Sequence, residues 1–388
     1  MIPIQYNLRS LAVRKTTTIA TALGIGLVVF VFATVRMLSA GLEKTLTTTG
    51  KADVAIVLRK GADAEIASAI DTTSVGLVLA GREVQRRPDG RPDGVGEVAL
   101  VVTMDKLGTD GVSNVQIRGV PEDVYAFRPE IKIIEGRKAR PGADECVIGK
   151  AIRGRFKGVE LGQTFELRKN RPLKVVGVFE AQGSSFESEV WIDGDAARSA
   201  FGRAGVVQSI RARLTDASAY DAFKRSVESN RQLGLEVFRE TDYYETQSQG
   251  TSLFITSLGT TIAVFFALGA MIGAMITMYS AVANRKREIG TLRALGFGKV
   301  SIMTSFLLES VTLALLGGVL GAAASMAMGM VRFSMVNFQT WSELVFSFEP
   351  TSATVVGSLV FAGAMGLFGG LFPAVRAARM PLIRALKE

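Results

Sequence analysis

Four stretches of this 388-residue chain are long and apolar enough to cross a lipid bilayer, and no other feature restricts the fold so strongly. A hydrocarbon core of about 30 Å needs about 20 apolar residues at about 1.5 Å of helical rise each. The stretches are 17–35, 253–283, 300–331 and 352–374. As helices the second and third would reach ~45 Å, so they must tilt, bend or protrude as stalks, and protrusion on the outer side is expected. The first is too long for the apolar core of a signal peptide, and Leu38-Ser39-Ala40 lacks the small residue at the −3 position of a cleavage site. A retained anchor is therefore expected.

Orientation follows from where the basic residues fall. The flank before the first stretch carries Arg9, Arg14 and Lys15. Residues 284–299 carry Arg285, Lys286, Arg287, Arg293 and Lys299 against Glu288, and the tail carries Arg376, Arg379, Arg384 and Lys387 against Glu388. Between the third and fourth stretches Arg332 faces Glu343 and Glu349. Both termini and the 284–299 loop are thus expected in the cytoplasm. The net charge of +9 becomes a topology signal, with no nucleic-acid partner implied. The chain has no His and one Cys, which removes His-based catalysis, His metal ligation, internal disulfides and thiolate clusters.

Residues 41–250 then lie outside the membrane and alternate strand-like with helix-like runs. Strands are expected at 53–59, 98–104, 115–120, 131–134, 164–168 and 173–180, the last two joined by a four-residue loop at 169–172. Helices are expected at 63–71 and 218–230; the second opens with Ser218-x-x-Asp221, a variant of the capping box, and puts Phe223 and Val227 on one face. The pattern strand–helix–strand occurs near 53–85 and again near 208–240. Two readings stand: one irregular α+β domain, or a lobe made from the paired ends with a strand-rich lobe, about 95–200, inserted. Glu187 and Glu189, two residues apart, read as a solvated face rather than a catalytic pair. The run at 86–96 reads as an exposed loop and Cys146 as buried and inert.

The most informative segment is Asn284-Arg-Lys-Arg-Glu288-Ile-Gly-Thr-Leu-Arg293-Ala-Leu-Gly-Phe297. Ile289, Leu292 and Leu295/Gly296 recur at helical spacing, so a short amphipathic helix is expected between two spans. It could rest on a cytoplasmic partner and pass force to the spans, its charged face offering charge-assisted hydrogen bonds, or it could anchor to anionic lipid. The residues alone leave both open.

RKREIGTLRALGF, the following FLLESVTLALLGGVLG, the tail GLFPAVRAARMPLIRALKE and the opening YNLRSLAVRKTTTIATALGIGL together resemble the permease family of MacB, LolC and LolE, and FtsX. The resemblance implies a membrane protein of four transmembrane helices with a large extracytoplasmic α+β domain between helices 1 and 2; of the two readings of that domain, the residue pattern favours two lobes. It implies the divisions 1–16 (cytoplasmic), 17–40 (helix 1), 41–250 (outer domain), 251–283 (stalk and helix 2), 284–299 (coupling helix), 300–331 (helix 3), 332–350 (short outer loop), 351–374 (helix 4) and 375–388 (cytoplasmic tail). It further implies an inner-membrane permease subunit of a type VII ABC transporter, working as one of two subunits, a homodimer being the simpler case. Its loop would dock on a cytoplasmic ABC ATPase dimer, through Arg285, Arg287, Glu288, Thr291, Leu292, Arg293, Ala294, Leu295 and Gly296, with Glu288 foremost. No G-x-x-x-x-G-K-[ST] occurs; Gly298-Lys299 is followed by Val300. ATP and Mg are therefore expected on a partner chain, with no cofactor here. A periplasmic adaptor is a further implied partner.

Three features remain. Glu309 falls within or just inside the membrane, which makes it a functional candidate; pairing with a basic residue of a neighbouring helix is the simpler expectation. Arg36 can snorkel outward. Gly269/Gly273, Gly317/Gly321 and Gly366/Gly370 have the four-residue spacing that lets helices approach closely, within or between subunits. The expected function is mechanotransmission, in which ATP-driven motion is relayed to the outer domain to export or extract a lipid, lipoprotein, peptide or drug. An FtsX-like regulator of cell-wall hydrolases is the main rival. A gradient-driven secondary transporter fits poorly, for it would need more spans and charges at mid-membrane.

Overall fold

A computed structural model describes residue 13 and residues 15–380; Arg9, Arg14, Arg384, Lys387 and Glu388, which entered the orientation argument, lie outside the described residues. The chain divides into two compact units, one of residues 1–41, 253–331 and 347–388, the other of 42–252 and 332–346.

Four helices are long and apolar enough to cross a membrane. They are α1 (Lys15–Thr49), α6 (Glu240–Asn284), α8 (Lys299–Met326, extended by a 3-10 turn to Met330) and α9 (Ser352–Ala378). Helices α1 and α6 run well beyond the apolar stretches read from sequence, α1 by fourteen residues at its C-terminal end and α6 by thirteen at its N-terminal end. Both extensions belong largely to the second unit. Within the first unit the glycines decide how close the backbones come. A Cβ on Gly321 would lie 2.2 Å from Gly26 O, and one on Gly317 2.5 Å from Ala22 O, so α8 meets α1 along this pair. Gly366 and Gly370 do the same for α9 against α8, where a Cβ would lie 2.6 Å from Ala314 Cβ and 2.5 Å from Ser310 Cβ. Around Gly269 and Gly273 nothing lies within 4 Å, so this pair makes no close approach within the described chain.

The second unit is a ten-stranded mixed sheet with helices. Its strands include β1 (Val54–Arg59), β2 (Ile70–Asp71), β3 (Gly94–Asp105), β4 (Val112–Val120), β5 (Lys132–Gly136), β6 (Glu145–Gly149), β7 (Thr164–Arg168), β8 (Arg171–Glu180), β9 (Glu189–Asp193), β10 (Val206–Val207), β11 (Ser209–Arg213) and β12 (Leu235–Arg239). Its main path is β12-β1-β11-β3-β4-β9-β6-β8-β5, with β7 on β8; β2 and β10 pair separately. The two ends of the segment meet directly, Val57 opposite both Ile210 and Val237. The long strand β3 joins the parts: residues 94–97 pair with β11 and residues 98–105 with β4. One core gathers Val57, Ile210, Phe223 and Val237; another gathers Val98, Ile117, Ile148 and Val190. Alternation is clearest in β7, where Phe165 and Leu167 are buried between exposed Thr164, Glu166 and Arg168.

Several local expectations need correction. Residues 63–71 form a 3-10 turn (Glu65–Ala67) and the short β2 rather than a helix; the helix follows as α2 (Thr72–Leu79), because the Asp71 side chain accepts from Thr73 N at its start. The helix near 218–230 is α5 (Tyr220–Glu228), entered through a 3-10 turn capped by Asp216, so the Ser218-x-x-Asp221 box is not the cap used. The turn between β7 and β8 has two residues, Lys169 and Asn170, with Asn170 in the left-handed region at φ 65°. Helices α3 (Val124–Phe127) and α4 (Gly194–Ala200) were not anticipated.

Residues 332–350, expected as a plain loop, contain a hairpin of β13 (Arg332–Val336) and β14 (Glu343–Ser347). Within the second unit it is tied to the sheet. Arg155 Nη2 reaches Glu343 at 2.6 Å, Asn114 donates to the Trp341 carbonyl at 2.9 Å, and Val345 N donates to Ser188 Oγ at 3.0 Å.

Candidate functional site

Between α6 and α8 the chain forms α7 (Lys286–Ala294). Asn284 ends α6, Arg285 precedes the first turn of α7, and Gly296 closes its far end at φ +93°, where the Gly296 and Phe297 amides donate back to Arg293 and Leu292. Such a left-handed stop suits glycine because it lacks a Cβ.

The helix has two distinct faces. Ile289 is buried among Val282, Ile302, Phe306 and Ala377, and Leu292 packs at the edge of that cluster. The Arg285 guanidinium is also inward. It donates to Glu309 Oε2 at 2.8 Å and to Glu288 Oε2 at 2.9 Å, and lies over the Phe306 ring at 5.3 Å. Glu309 is buried on α8, so this carboxylate and the loop arginine form one ion pair joining α7 to α8. Arg293 donates to the Met380 carbonyl at 3.1 Å, which ties the helix to the chain after α9. The opposite face is exposed: Arg287, Glu288, Thr291, Ala294 and Leu295 form one strip at helical spacing, ending at Gly296. Leu295 is 72% exposed and does not share the face of Ile289 and Leu292, where the spacing had placed it. Of the nine residues expected to meet a partner, the structure thus turns Arg285 inward and Leu292 and Arg293 partly so, and leaves the other six outward.

The second unit holds a site that pattern reading missed. Arg118, Arg128 and Arg211 and the carboxylates of Glu65, Glu97, Glu189 and Glu240 are all buried. Arg118 donates to Glu189 and Glu97, each at 2.7 Å, and Arg211 to Glu65 at 2.9 Å and Glu240 at 2.8 Å. Arg128 also pairs with Glu240. Burial alone would raise Glu65, but Arg118 and Arg211 outweigh it and hold the carboxyl far below the ordinary range. For Glu189 burial wins over Arg118, and its pKa is raised. Glu240, the first residue of α6, also accepts from Lys51 N at 3.1 Å, two residues after α1 ends, so one carboxylate joins the end of one long helix to the start of the other. A Cβ on Gly50 would lie 2.7 Å from Glu240 O, which shows how close that junction is.

Glu187 and Glu189 are corrected accordingly. Both are buried, Glu187 accepting from the amides of Ala181 and Gly183 and Glu189 bound to Arg118, and the change from a 3-10 turn to β9 between them removes the shared face. Sequence offered one weak signal: arginine at 118 and 211 inside otherwise strand-like runs. Cys146 is buried, and burial raises its thiol pKa, as an inert cysteine requires.

Four long apolar helices, a large α+β domain between the first two and a short two-faced helix between the second and third define a multi-span membrane protein of permease type. Residues 16–230 match the MacB-like periplasmic core domain, and residues 260–382 the FtsX-like permease C-terminal region. The chain belongs to the MacB/FtsX-like permease family, and its α+β domain is the periplasmic one. It is 32% identical over 225 residues to the macrolide export ATP-binding/permease protein MacB 2 of Yersinia pestis bv. Antiqua, covering 56% of this chain and 32% of that protein. It is 28% identical over 396 residues to the probable export ATP-binding/permease protein MacB of Pseudomonas entomophila, covering 96% of this chain and 56% of that protein. The chain therefore spans less than two thirds of the length of these relatives. The crystal structure of the periplasmic region of MacB from Actinobacillus actinomycetemcomitans aligns with 54% of this chain and 98% of its own, at 12% identity and a TM-score of 0.37, too loose to add to the family assignment.

Proposed function

We propose that this chain is a permease subunit that relays the motion of a cytoplasmic ABC ATPase dimer to its periplasmic domain. The observation that carries this reading is the two-faced α7: Arg285 and Ile289 fix it to α8 while Arg287, Glu288, Thr291, Ala294 and Leu295 face outward. A helix held this way moves with the spans on either side, so a partner that displaces the exposed strip displaces them too. Coupling needs one element with two arrangements that the nucleotide biases; α7, anchored by one buried ion pair, suits that role. ATP and Mg belong to the partner, both termini and α7 face the cytoplasm, and two permease subunits act together. Gly269 and Gly273 are then available for packing between subunits.

The cargo class is a lipid, lipoprotein, peptide or drug. The macrolide in the relatives' names makes drug export one case of it. A periplasmic adaptor would complete the path outward. The second reading, an FtsX-like regulator that switches hydrolases without moving anything, shares every step up to the periplasmic domain and draws on the FtsX-like C-terminal match.

Affinity purification of the tagged full-length chain from native membranes tests the reading. A chain bearing a phosphate-loop ATPase should co-purify, and Glu288→Ala or Leu295→Asp should reduce its recovery while membrane insertion stays intact. Recovery unchanged in both variants would remove the strip from the mechanism. An accompanying hydrolase in place of cargo stimulation would favour the regulator.

A further inference from the structure

The periplasmic unit carries a second feature, unrelated to the ATPase-facing helix. Helices α2 and α4 lie on the same face of the sheet. Gly94 and Gly96 share a face of β3 with Val98, and Val98 is the cross-strand partner of Gly119. A Cβ on Gly94 would lie 2.3 Å from Leu79 Cδ2, and one on Gly96 3.2 Å from Val75 Cγ2, so α2 rests on these two glycines. A Cβ on Gly119 would lie 2.6 Å from Ala197 Cβ, so α4 rests beside them. A cleft of about 480 Å³ opens between residues of α2 and the start of α4.

Val75, Leu79, Val207 and Pro121 give it an apolar stretch, beside the polar Thr72 and the β3 backbone at Gly94 and Gly96. Its rim is acidic. Asp195 is paired with Arg198, and Asp123 with Arg87 and Arg91. Glu122 and Asp193 have no ion-pair partner among the described residues; Asp193 Oδ1 accepts from Ala196 N at the start of α4, and Glu122 is exposed. The cleft continues into a smaller pocket that shares Pro121, Glu122, Pro141 and Asp193 with it and ends at Tyr125 and Trp191. There the Lys138 ammonium sits 4.3 Å from the centre of the Tyr125 ring, so this aromatic wall already holds a cation.

We propose that this cleft binds a small amphipathic cation, its apolar body on Val75, Leu79 and Val207 and its charge between Glu122 and Asp193. The size falls in the range of clefts that hold drug-sized ligands, about 300–1,000 Å³. A purely polar cation would leave the apolar stretch wet, and an anion would face the two unpaired carboxylates.

Tetraphenylphosphonium and tetraphenylborate have the same shape and opposite charge, and the full chain in lipid nanodiscs can be titrated with each against empty nanodiscs. Tetraphenylphosphonium should bind the protein-containing discs in excess over the empty ones, with tetraphenylborate showing no such excess. The double variant Glu122→Gln/Asp193→Asn keeps the helix cap and should weaken binding about tenfold. Val75→Trp should abolish it by filling the cleft. No protein-dependent binding of the cation, equal protein-dependent binding of both ions, or binding unchanged in the double variant overturns the proposal. The ATPase takes no part in the measurement, so its outcome is separate from that of the coupling test.

Discussion

Arg285 and Glu309 stand 24 residues apart in sequence, and their side chains meet at 2.8 Å, both buried, between the short helix α7 and the third apolar helix. This contact fixes the inner face of α7 and thereby defines which residues its outer face presents. It also gives the one buried carboxylate of α8 a partner.

Removing one partner of a buried pair strands the other, at a cost of about 3–5 kcal/mol, whereas removing both can be close to neutral. Glu309→Leu should therefore destabilise the purified chain strongly, Arg285→Met likewise, and the double variant should recover most of the loss. Thermal unfolding in one detergent for all four proteins decides this; losses that simply add would show that the two side chains act independently.

The three glycine pairs should respond differently to one added methyl. Gly321→Ala places Cβ 2.2 Å from Gly26 O and Gly366→Ala 2.6 Å from Ala314 Cβ, so both should lower the melting temperature of the chain. Gly269→Ala meets nothing within 4 Å and should leave it unchanged or raise stability by about 0.5–1 kcal/mol. If Gly269→Ala instead shifts the subunit from dimer to monomer on size exclusion, the pair is an intersubunit contact.

In the periplasmic unit Arg118 is surrounded by Glu65, Glu97 and Glu189. Arg118→Met would leave three buried carboxylates facing one another with Arg211 and Arg128 as the remaining buried cations of the cluster, and a loss of about 3–5 kcal/mol is expected. Denaturant unfolding of that unit, followed through buried Trp191 whose indole donates to Glu189, should show it. A change under about 0.5 kcal/mol would mean that the cluster contributes no net stability.

Docking of the β13–β14 hairpin should depend on pH. Burial raises Glu343, but hydrogen bonds from Ser113, Arg155, Ser334 and Lys106 outweigh it and lower its pKa from 4.5 to about 2. A carboxylate whose folded pKa is depressed stabilises the fold above its unfolded value and loses that contribution as pH falls through the folded one. The hairpin should thus be fully held above pH 4.5 and loosen toward pH 2, followed by the fluorescence of Trp341, which is 61% exposed near its turn. Glu343→Gln should flatten the titration; an identical profile in that variant would assign the change to another group.

The long apolar runs, the strands with clean alternation and the amphipathic segment between the second and third runs could be read directly, because burial and periodicity are written locally in residue order. Their ends could not. Residues 36–49 and 240–252, of mixed polarity, continue α1 and α6 beyond the long apolar runs, and the α6 extension begins at Glu240, whose carboxylate is bound to Arg128 and Arg211 from distant elements. The hairpin at 332–347 escaped for the same reason, since its ties run to Asn114, Arg155 and Ser188.

By itself, then, the sequence determined that the chain crosses a membrane by helices, that one large α+β domain follows the first of them, and that a short helix carries the charged motif. Those conclusions need only hydropathy, spacing and residue type. Tertiary structure decided which side of that helix faces outward, which glycines bring backbones together and which arginines are buried with carboxylates. Each of those depends on a partner tens to hundreds of residues away, and a charged side chain reads the same in sequence whether water or an opposite charge surrounds it.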